Sequence, residues 1–186
     1  MLLLIIAIFI YLKTPVLVEL SLTYINLMRG IEPAHPTIPL AWLGYSYIAF
    51  RLIHVLRDHP SGRVPSLTLG EFVNYVIFFP ALAAGPIDRV ERFIVELRAP
   101  VPLDAAAWIQ AGRRLLQGLF KKFVIADSIA VLALNDHLAE QVQSPLWLWI
   151  FLYLFSLQIY FDFSGYTDVA IWLARVLGVR LPENFS

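Results

Sequence analysis

Two carboxylates within a strongly apolar part of the sequence are its best candidates for chemistry. Asp162 and Asp168 follow a long apolar run over residues 146–161, and polar side chains lie between them. Ionisable groups at membrane depth are costly, so they usually face a protein interior or a water-filled cavity. We therefore take Asp162, Ser164, Tyr166 and Asp168 as candidates for the lining of a substrate channel.

The backbone around these residues is predicted to be irregular. Gly165 and its hydroxyl-bearing neighbours can bend the chain or hydrogen-bond to it, and irregular backbone at membrane depth needs protein or a cavity to satisfy its amides. We expect a membrane span over residues 145–161, a break over 162–168 and a short helix over 169–179. An interfacial loop with solvated carboxylates explains the same spacing equally well.

Composition indicates a membrane protein. Hydrophobic residues make up 59% of the chain and charged residues 15%, whereas an ordinary soluble chain is roughly 45–50% hydrophobic. The formal net charge is zero, so no bulk attraction to nucleic acid is predicted. The chain has no cysteine, and its four histidines (35, 54, 59 and 137) form no pair at metal-ligand spacing. No metal site is therefore predicted.

The apolar runs predict an all-α fold, a polytopic transmembrane bundle with short, re-entrant and interfacial helices in one domain over residues 1–186. Lys13 and Pro15 interrupt the first run, over residues 2–28. Eleven or twelve residues cannot cross a hydrocarbon layer of ~30 Å. Either the run is one helix with an irregular middle, or Met1 lies partway through a membrane span.

The next helix is predicted over residues 40–56, after a proline-rich loop over 29–39. Arg51 and His54 lie on neighbouring positions of one face. Arg51 is close to the helix end, where it is expected to snorkel to the surface. We expect His54 to be a satisfied interior histidine, an interpretation favoured over a catalytic role.

A helix over residues 67–84 is predicted to begin with a capping box, since Thr68 is followed three residues later by Glu71. Its apolar part is short for a span, so a tilted, buried or re-entrant helix is expected. Residues 87–102 then alternate charged and apolar positions at helical spacing. They predict an amphipathic helix that lies in the membrane interface or packs on the bundle.

A long helix is predicted over residues 104–134. Lys121 and Lys122 are interpreted as basic anchors at its cytoplasmic end, in preference to a phosphate site. The region 89–122 holds seven Lys or Arg and the loop 135–144 holds none, so the first is predicted to be cytoplasmic. Trp147 and Trp149 begin the following span, as interfacial aromatic residues do. A structural pair of Asp168 with Arg175 is the alternative role for that aspartate.

Three stretches, in order along the chain, resemble the membrane-bound O-acyltransferase family. They are Phe78-Phe79-Pro80 through Gly85-Pro86-Ile87, Gly118-Leu119-Phe120-Lys121-Lys122 through Ala126-Asp127, and Tyr160-Phe161-Asp162-Phe163-Ser164-Gly165-Tyr166-Thr167-Asp168 through Pro182-Glu183-Asn184-Phe185. The resemblance is greatest to the bacterial branch of alginate O-acetylation proteins and D-alanyl-lipoteichoic acid transferases. It covers about residues 2–186, and Arg51 and His54 depart from it.

The resemblance implies transfer of an acyl or acetyl group to hydroxyls of an exported polysaccharide or envelope glycan. It implies a multi-pass protein of the cell inner or plasma membrane, with no bound cofactor and an acyl carrier or acyl-CoA as co-substrate. Membrane lipid, the glycan acceptor and other envelope acetylation proteins are the implied partners. It also implies that the chain is cut at its C-terminal end, because the family's catalytic histidine lies beyond Ser186, so no catalytic residue is assigned. A cut at the N-terminal end is expected if Met1 lies partway through a span.

Two other functions are compatible with the sequence. One is D-alanyl transfer to teichoic acid. The other is a non-catalytic membrane transporter or scaffold that uses the predicted break at residues 162–168 as a binding site.

Overall fold

A computed structural model describes residues 2–28, 44–133 and 144–184. These ranges contain helices, turns and loops and no strand, which confirms the predicted all-α class for them. The chain forms two compact units, Met1–Ile77 and Phe78–Ser186. The predicted loops over 29–39 and 135–144 fall almost wholly outside the described residues, as do His35 and His137.

Two helices occupy the N-terminal apolar run of the first unit. Helix α1 spans Leu2–Lys13 and α2 spans Pro15–Met28, and their axes are bent by 88°. The break falls at Thr14, whose hydroxyl donates to the carbonyl of Ile10 at 2.7 Å. Proline suits the first position of α2 because the amide it lacks would have no partner there. Two helices at a sharp bend therefore replace the single helix considered from the sequence.

The remaining helices of the first unit are α3, Tyr45–Asp58, and α4, Leu69–Val76. The capping box predicted for α4 is confirmed: Thr68 accepts from the amide of Glu71, and the Glu71 carboxylate accepts from the amide of Thr68 at 2.8 Å. Helix α4 is much shorter than predicted. It ends at Val76, and the Phe79–Ala81 segment beyond it is a single 3₁₀ turn because Pro80 has no amide to continue a helix.

The prediction for Arg51 was wrong. Its side chain is buried, with only 2% of the residue exposed, and Nη1 donates to the carbonyls of Tyr75 and Val76 at 3.1 and 3.2 Å. Those carbonyls belong to the last turn of α4, where the helix leaves acceptors unpaired. Arg51 therefore ties α3 to the C-terminal end of α4 instead of reaching for solvent.

The histidine on the same helix differs from its prediction as well. His54 is half-buried, and its Nδ1 is a buried atom with no hydrogen-bond partner within the described residues. The sequence predicted an interior histidine with its hydrogen bonds satisfied, and for Nδ1 of His54 this prediction was wrong.

The second unit begins with the 3₁₀ turn and continues to α5, Val90–Arg98. Its apolar face is covered by the chain itself: Phe93 and Ile94 are 2% and 1% exposed, and the Phe93 ring meets that of Phe78 edge-on with centroids 5.0 Å apart. The predicted amphipathic helix is confirmed. The apolar face of α5 packs against the rest of the second unit, as expected for a helix on the bundle.

A nearly continuous helical run follows α5. Helix α6 spans Ala105–Leu119, a π-helical segment spans Phe120–Ala126, and α7 spans Asp127–Ala130. Asp104 caps the start, where its carboxylate accepts from the amide of Ala107 at 2.7 Å. The predicted long helix is confirmed over these residues. The π-helical segment within it was not predicted.

Helix α8 is the longest element and runs without a break over Pro145–Val176, 32 residues. The predicted interruption at residues 162–168 is therefore wrong. Gly165 does not interrupt the helix, and its backbone packs against Gly118 and Lys122 of the same chain. Helix α8 is the one described helix long and apolar enough to cross a membrane, and the bent pair of N-terminal helices would make a second if it counts as one span.

Candidate functional site

The site begins with a close approach of two helices at a pair of glycines. A Cβ atom placed on Gly118 of α6 would lie 2.8 Å from the carbonyl oxygen of Gly165 on α8, and one placed on Gly165 would lie 2.7 Å from the carbonyl oxygen of Gly118. Only glycine allows backbones to meet at this distance. The two helices therefore touch here backbone to backbone, which brings the side chains on either side of the contact within bonding distance.

Asp168 lies one turn beyond this contact and is paired with two cations. Its Oδ1 accepts from Nε of Arg114 at 3.1 Å, and its Oδ2 accepts from Nζ of Lys121 at 2.6 Å. The same ammonium group donates to Oγ of Ser164 at 3.1 Å. Asp168 is 8% and Ser164 2% exposed. A buried carboxylate needs such partners, because ionisation away from water is otherwise too costly.

Arg114 extends this cluster to the segment that follows α8. Its Nη1 donates to Oε1 of Glu183 at 2.6 Å, and its Nη2 to Oε2 of the same carboxylate. The hydrogen bond that Arg114 donates to Glu183 raises the pKa of the Arg114 guanidinium. Burial lowers this pKa, and the charges of Glu183 and Asp168 raise it further. The group therefore stays cationic through the physiological range, and its contribution to stability would be lost only above its ordinary pKa.

The second lysine makes a separate ion pair on the other side of Gly165. Lys122 donates from Nζ to Oδ1 of Asp162 at 2.5 Å, and half of the Asp162 side chain is exposed. Lys121 and Lys122 are adjacent in sequence yet both bind α8, with Gly165 between their partners. The π-helical segment that contains them changes the usual turn of the helix at this point. The prediction that both lysines merely anchor a helix end was wrong.

The four predicted channel residues fall into two sets on the unbroken helix. Ser164 and Asp168 are one turn apart on one face and share Lys121. Asp162 and Tyr166 form another pair at the same spacing, which places them on a different face. Tyr166 is half-buried and does not line the cavity described next. Of the four, Asp168 lines that cavity and Ser164 accepts a hydrogen bond from Lys121, its lining lysine.

A cavity of about 570 Å³ adjoins Asp168. Helices α6 and α8 and the segment over residues 180–183 form its walls. Its charged lining residues are Arg113, Arg114, Lys121, Asp168, Arg175, Arg180 and Glu183, and Trp172 is its one aromatic lining residue. The pairing of Asp168 with Arg175, considered from the sequence, is not formed: the carboxylate bonds to Arg114 and Lys121 instead, and Arg175 lines the same cavity.

Arg114 and Glu183 were not among the predicted site residues, although the spacing around Arg114 carries a signal. Arg114, Gly118 and Lys121 are spaced by four and three positions, so they form one stripe of α6 and its continuation. That stripe faces the stripe Ser164, Gly165 and Asp168 on α8. Matching small and oppositely charged residues on two helices would have indicated the contact.

Known proteins with curated names resemble this chain over most of its length. A probable alginate O-acetylase AlgI of Azotobacter vinelandii is 36% identical over 171 residues, which is 89% of this chain and 33% of that protein. The protein of the same name from Pseudomonas aeruginosa is 35% identical over 171 residues, 89% of this chain and 32% of its own length. A teichoic acid D-alanyltransferase of Bacillus subtilis is 30% identical over 159 residues, 83% of this chain and 40% of that protein.

The chain belongs to the membrane-bound O-acyltransferase family. It spans about a third of the length of these alginate O-acetylases and about two fifths of the length of the teichoic acid D-alanyltransferase. No protein-family model matches it. The ion-paired helix contact is built from two of the three stretches that carry the family resemblance, around Lys121 and around Asp168.

Proposed function

We propose that this chain is part of a multi-pass membrane enzyme that transfers an acyl group to hydroxyls of an exported polysaccharide or envelope glycan. Acetyl is the first candidate for the group transferred. The single observation that carries the proposal is the 36% identity to a probable alginate O-acetylase over 89% of the chain. The unbroken 32-residue helix α8 supports the membrane placement. An acyl carrier or acyl-CoA would supply the group transferred.

We assign the paired cluster a positioning role in that reaction. Acyl transfer to a hydroxyl needs a general base to take the hydroxyl proton, and we propose that a histidine outside these 186 residues supplies it. Asp168, Lys121 and Arg114 would fix α8 against α6 and shape the polar wall beside the reacting groups. Positioning of this kind affects rate strongly because small displacements of reacting groups are costly.

Asp162 and Tyr166 lie on a different face of α8 from Ser164 and Asp168 and are assigned a different role. Asp162 is half exposed, and Lys122 is its one ion-pair partner among the described residues. We propose that these two residues lie along the entrance for one substrate, while Ser164 and Asp168 support the wall of the cavity. The rival function as a transporter with a broken helix loses its basis, because α8 is continuous through residues 162–168.

A second acyl transfer is favoured by a specific observation. Teichoic acid D-alanyltransferases of Bacillus subtilis and Lacticaseibacillus rhamnosus are 30% and 29% identical to this chain over 83% and 79% of its length. The transferred group could accordingly be D-alanyl and the acceptor a teichoic acid. The higher identity to the alginate O-acetylases ranks this second.

The test uses membranes that contain the protein encoded by the whole open reading frame around this chain. Radiolabelled acetyl and D-alanyl donors would be supplied in parallel, each with alginate, with teichoic acid and without acceptor. Label transferred from the acetyl donor to the polysaccharide supports the proposal, and label transferred from the D-alanyl donor supports the alternative. Transfer of neither label above that of membranes lacking the protein would contradict both.

A further inference from the structure

The cavity beside Asp168 is unusually rich in positive charge. Five of its lining residues are basic, Arg113, Arg114, Lys121, Arg175 and Arg180, and two are acidic, Asp168 and Glu183. The lining thus carries an excess of three positive charges. Like charges that share a concave, partly shielded space repel one another, and the same space attracts an anion.

Two of the five cations have side chains without a partner in the described part of the chain. Arg114 and Lys121 are committed to Asp168 and Glu183, and Arg180 lies 3.8 Å from Glu96. The guanidinium groups of Arg113 and Arg175 form no hydrogen bond or ion pair with any residue that the structure describes. Guanidinium groups present planar pairs of donors that match phosphate oxygens. Two such groups on α6 and α8, at one cavity, therefore suit a phosphate.

The position of the cavity along α8 indicates where the phosphate comes from. A hydrocarbon layer of ~30 Å is crossed by about 20 residues of helix. Asp168 is about 35 Å and Arg175 about 45 Å along α8 from Pro145 at 1.5 Å per residue. With Trp147 at one interface, the cavity lies at the level of the lipid headgroups on the opposite face. Trp172 and Ile171 add an aromatic and an apolar surface to its wall.

We infer that this cavity binds the phosphate of an anionic phospholipid headgroup, with Arg113 and Arg175 as its principal donors. The cavity shares Asp168, Arg114 and Lys121 with the wall assigned above to the acyl-transfer site, but the binding of lipid does not require that acyl transfer takes place. The shared chemistry is a phosphate ester, and free phosphate could in principle fill the same donors. The headgroup level of the cavity and its aromatic wall favour the lipid.

The test measures lipid retention by the protein encoded by the whole open reading frame, purified in detergent and mixed with defined lipids. Phosphatidylglycerol and phosphatidylcholine would be compared by native mass spectrometry. Both Arg113→Gln and Arg175→Gln should fold normally, because neither guanidinium has a partner among the residues that the structure describes. Each should weaken phosphatidylglycerol retention about tenfold, the loss of one charged hydrogen-bonded contact. Arg63→Gln, at an exposed position of the first unit, is the matched control and should retain the lipid fully.

Three results would overturn the inference. One is full phosphatidylglycerol retention by the Arg113→Gln/Arg175→Gln double variant. Another is equal retention of phosphatidylcholine and phosphatidylglycerol by the unmodified protein. The third is a comparison of two samples: inorganic phosphate, added without lipid, stabilises the protein in an Arg175-dependent way, whereas phosphatidylglycerol does not. That result would assign the cavity to a soluble phosphate. None of these measurements depends on acyl transfer.

Discussion

Gly118 and Gly165 face each other across the contact of α6 with α8, and neither position has room for a methyl group. A Cβ on Gly165 would also lie 2.8 Å from the amide nitrogen of Lys122. Backbone atoms cannot yield as a flexible side chain can. The distance between the helices is therefore fixed by these two glycines, and the salt bridges of Asp168 and Asp162 depend on that distance.

The first prediction concerns this contact. Gly165→Ala should lower the free energy of unfolding by about 1–3 kcal/mol, because the added methyl forces the helices apart. Gly112→Ala is the matched control on α6, where nothing lies within 4 Å of an added Cβ. It should raise stability by about 0.5–1 kcal/mol through the better helix propensity of alanine. Denaturant unfolding in detergent compares the two, and equal stabilities would contradict the packing described.

The second prediction separates the two aspartates of α8. Asp168→Asn should lower stability by about 2–3 kcal/mol, because it leaves Arg114 and Lys121 facing a neutral group in a largely buried place. Asp162→Asn should cost less than about 1 kcal/mol, because its pair with Lys122 is half exposed and screened by solvent. The same unfolding assay measures both. An Asp162 effect as large as that of Asp168 would be inconsistent with the burial observed.

The third prediction concerns the coupling of lysines to aspartates. In a double-mutant cycle, Lys121→Met and Asp168→Asn should couple by about 1–2 kcal/mol, because they remove the two ends of one short, shielded ion pair. The cycle of Lys122→Met with Asp162→Asn should give less than about 0.5 kcal/mol. Crossed cycles, Lys121 with Asp162 and Lys122 with Asp168, serve as controls and should show no coupling. Coupling in the crossed cycles would mean that the lysines exchange partners.

The fourth prediction concerns the first unit. Arg51→Met should lower stability by about 2–4 kcal/mol, because the carbonyls of Tyr75 and Val76 lose a charged donor in a buried place. Amide hydrogen exchange should quicken in α4. Arg57→Met, an exposed position on the same helix, should change stability by less than about 0.5 kcal/mol. Unchanged exchange in α4 upon Arg51→Met would show that the arginine does not hold that helix end.

Local signals in the sequence predicted local structure well. The pairing of Thr68 with Glu71 identified the start of α4, and the spacing of Val90, Phe93 and Ile94 identified the buried face of α5. Both features arise from residues within one or two turns of each other, which a sequence displays directly. The family resemblance was likewise confirmed, because it depended on three ordered stretches.

Contacts between distant segments were the ones that sequence reasoning missed. Gly165 looked like a helix breaker because its partner, Gly118, is 47 positions away, and the reason for a glycine there is visible only once both helices are placed. The same holds for Arg51, which looked like a residue at a surface until the end of α4 supplied its acceptors. The π-helical segment that turns Lys121 and Lys122 towards one helix has no local signature in composition.

The central claim is that Asp168, held by Lys121 and Arg114, positions the acyl-transfer site. It is tested most directly by the rate of labelled acyl transfer per folded molecule in the protein encoded by the whole open reading frame, carrying either Asp168→Asn or Asp127→Asn. Asp127 is an exposed carboxylate on α7 and serves as the matched control. We predict a rate about 10- to 100-fold lower for Asp168→Asn and an unchanged rate for Asp127→Asn. Equal rates for the two variants at equal folded amount would contradict the account.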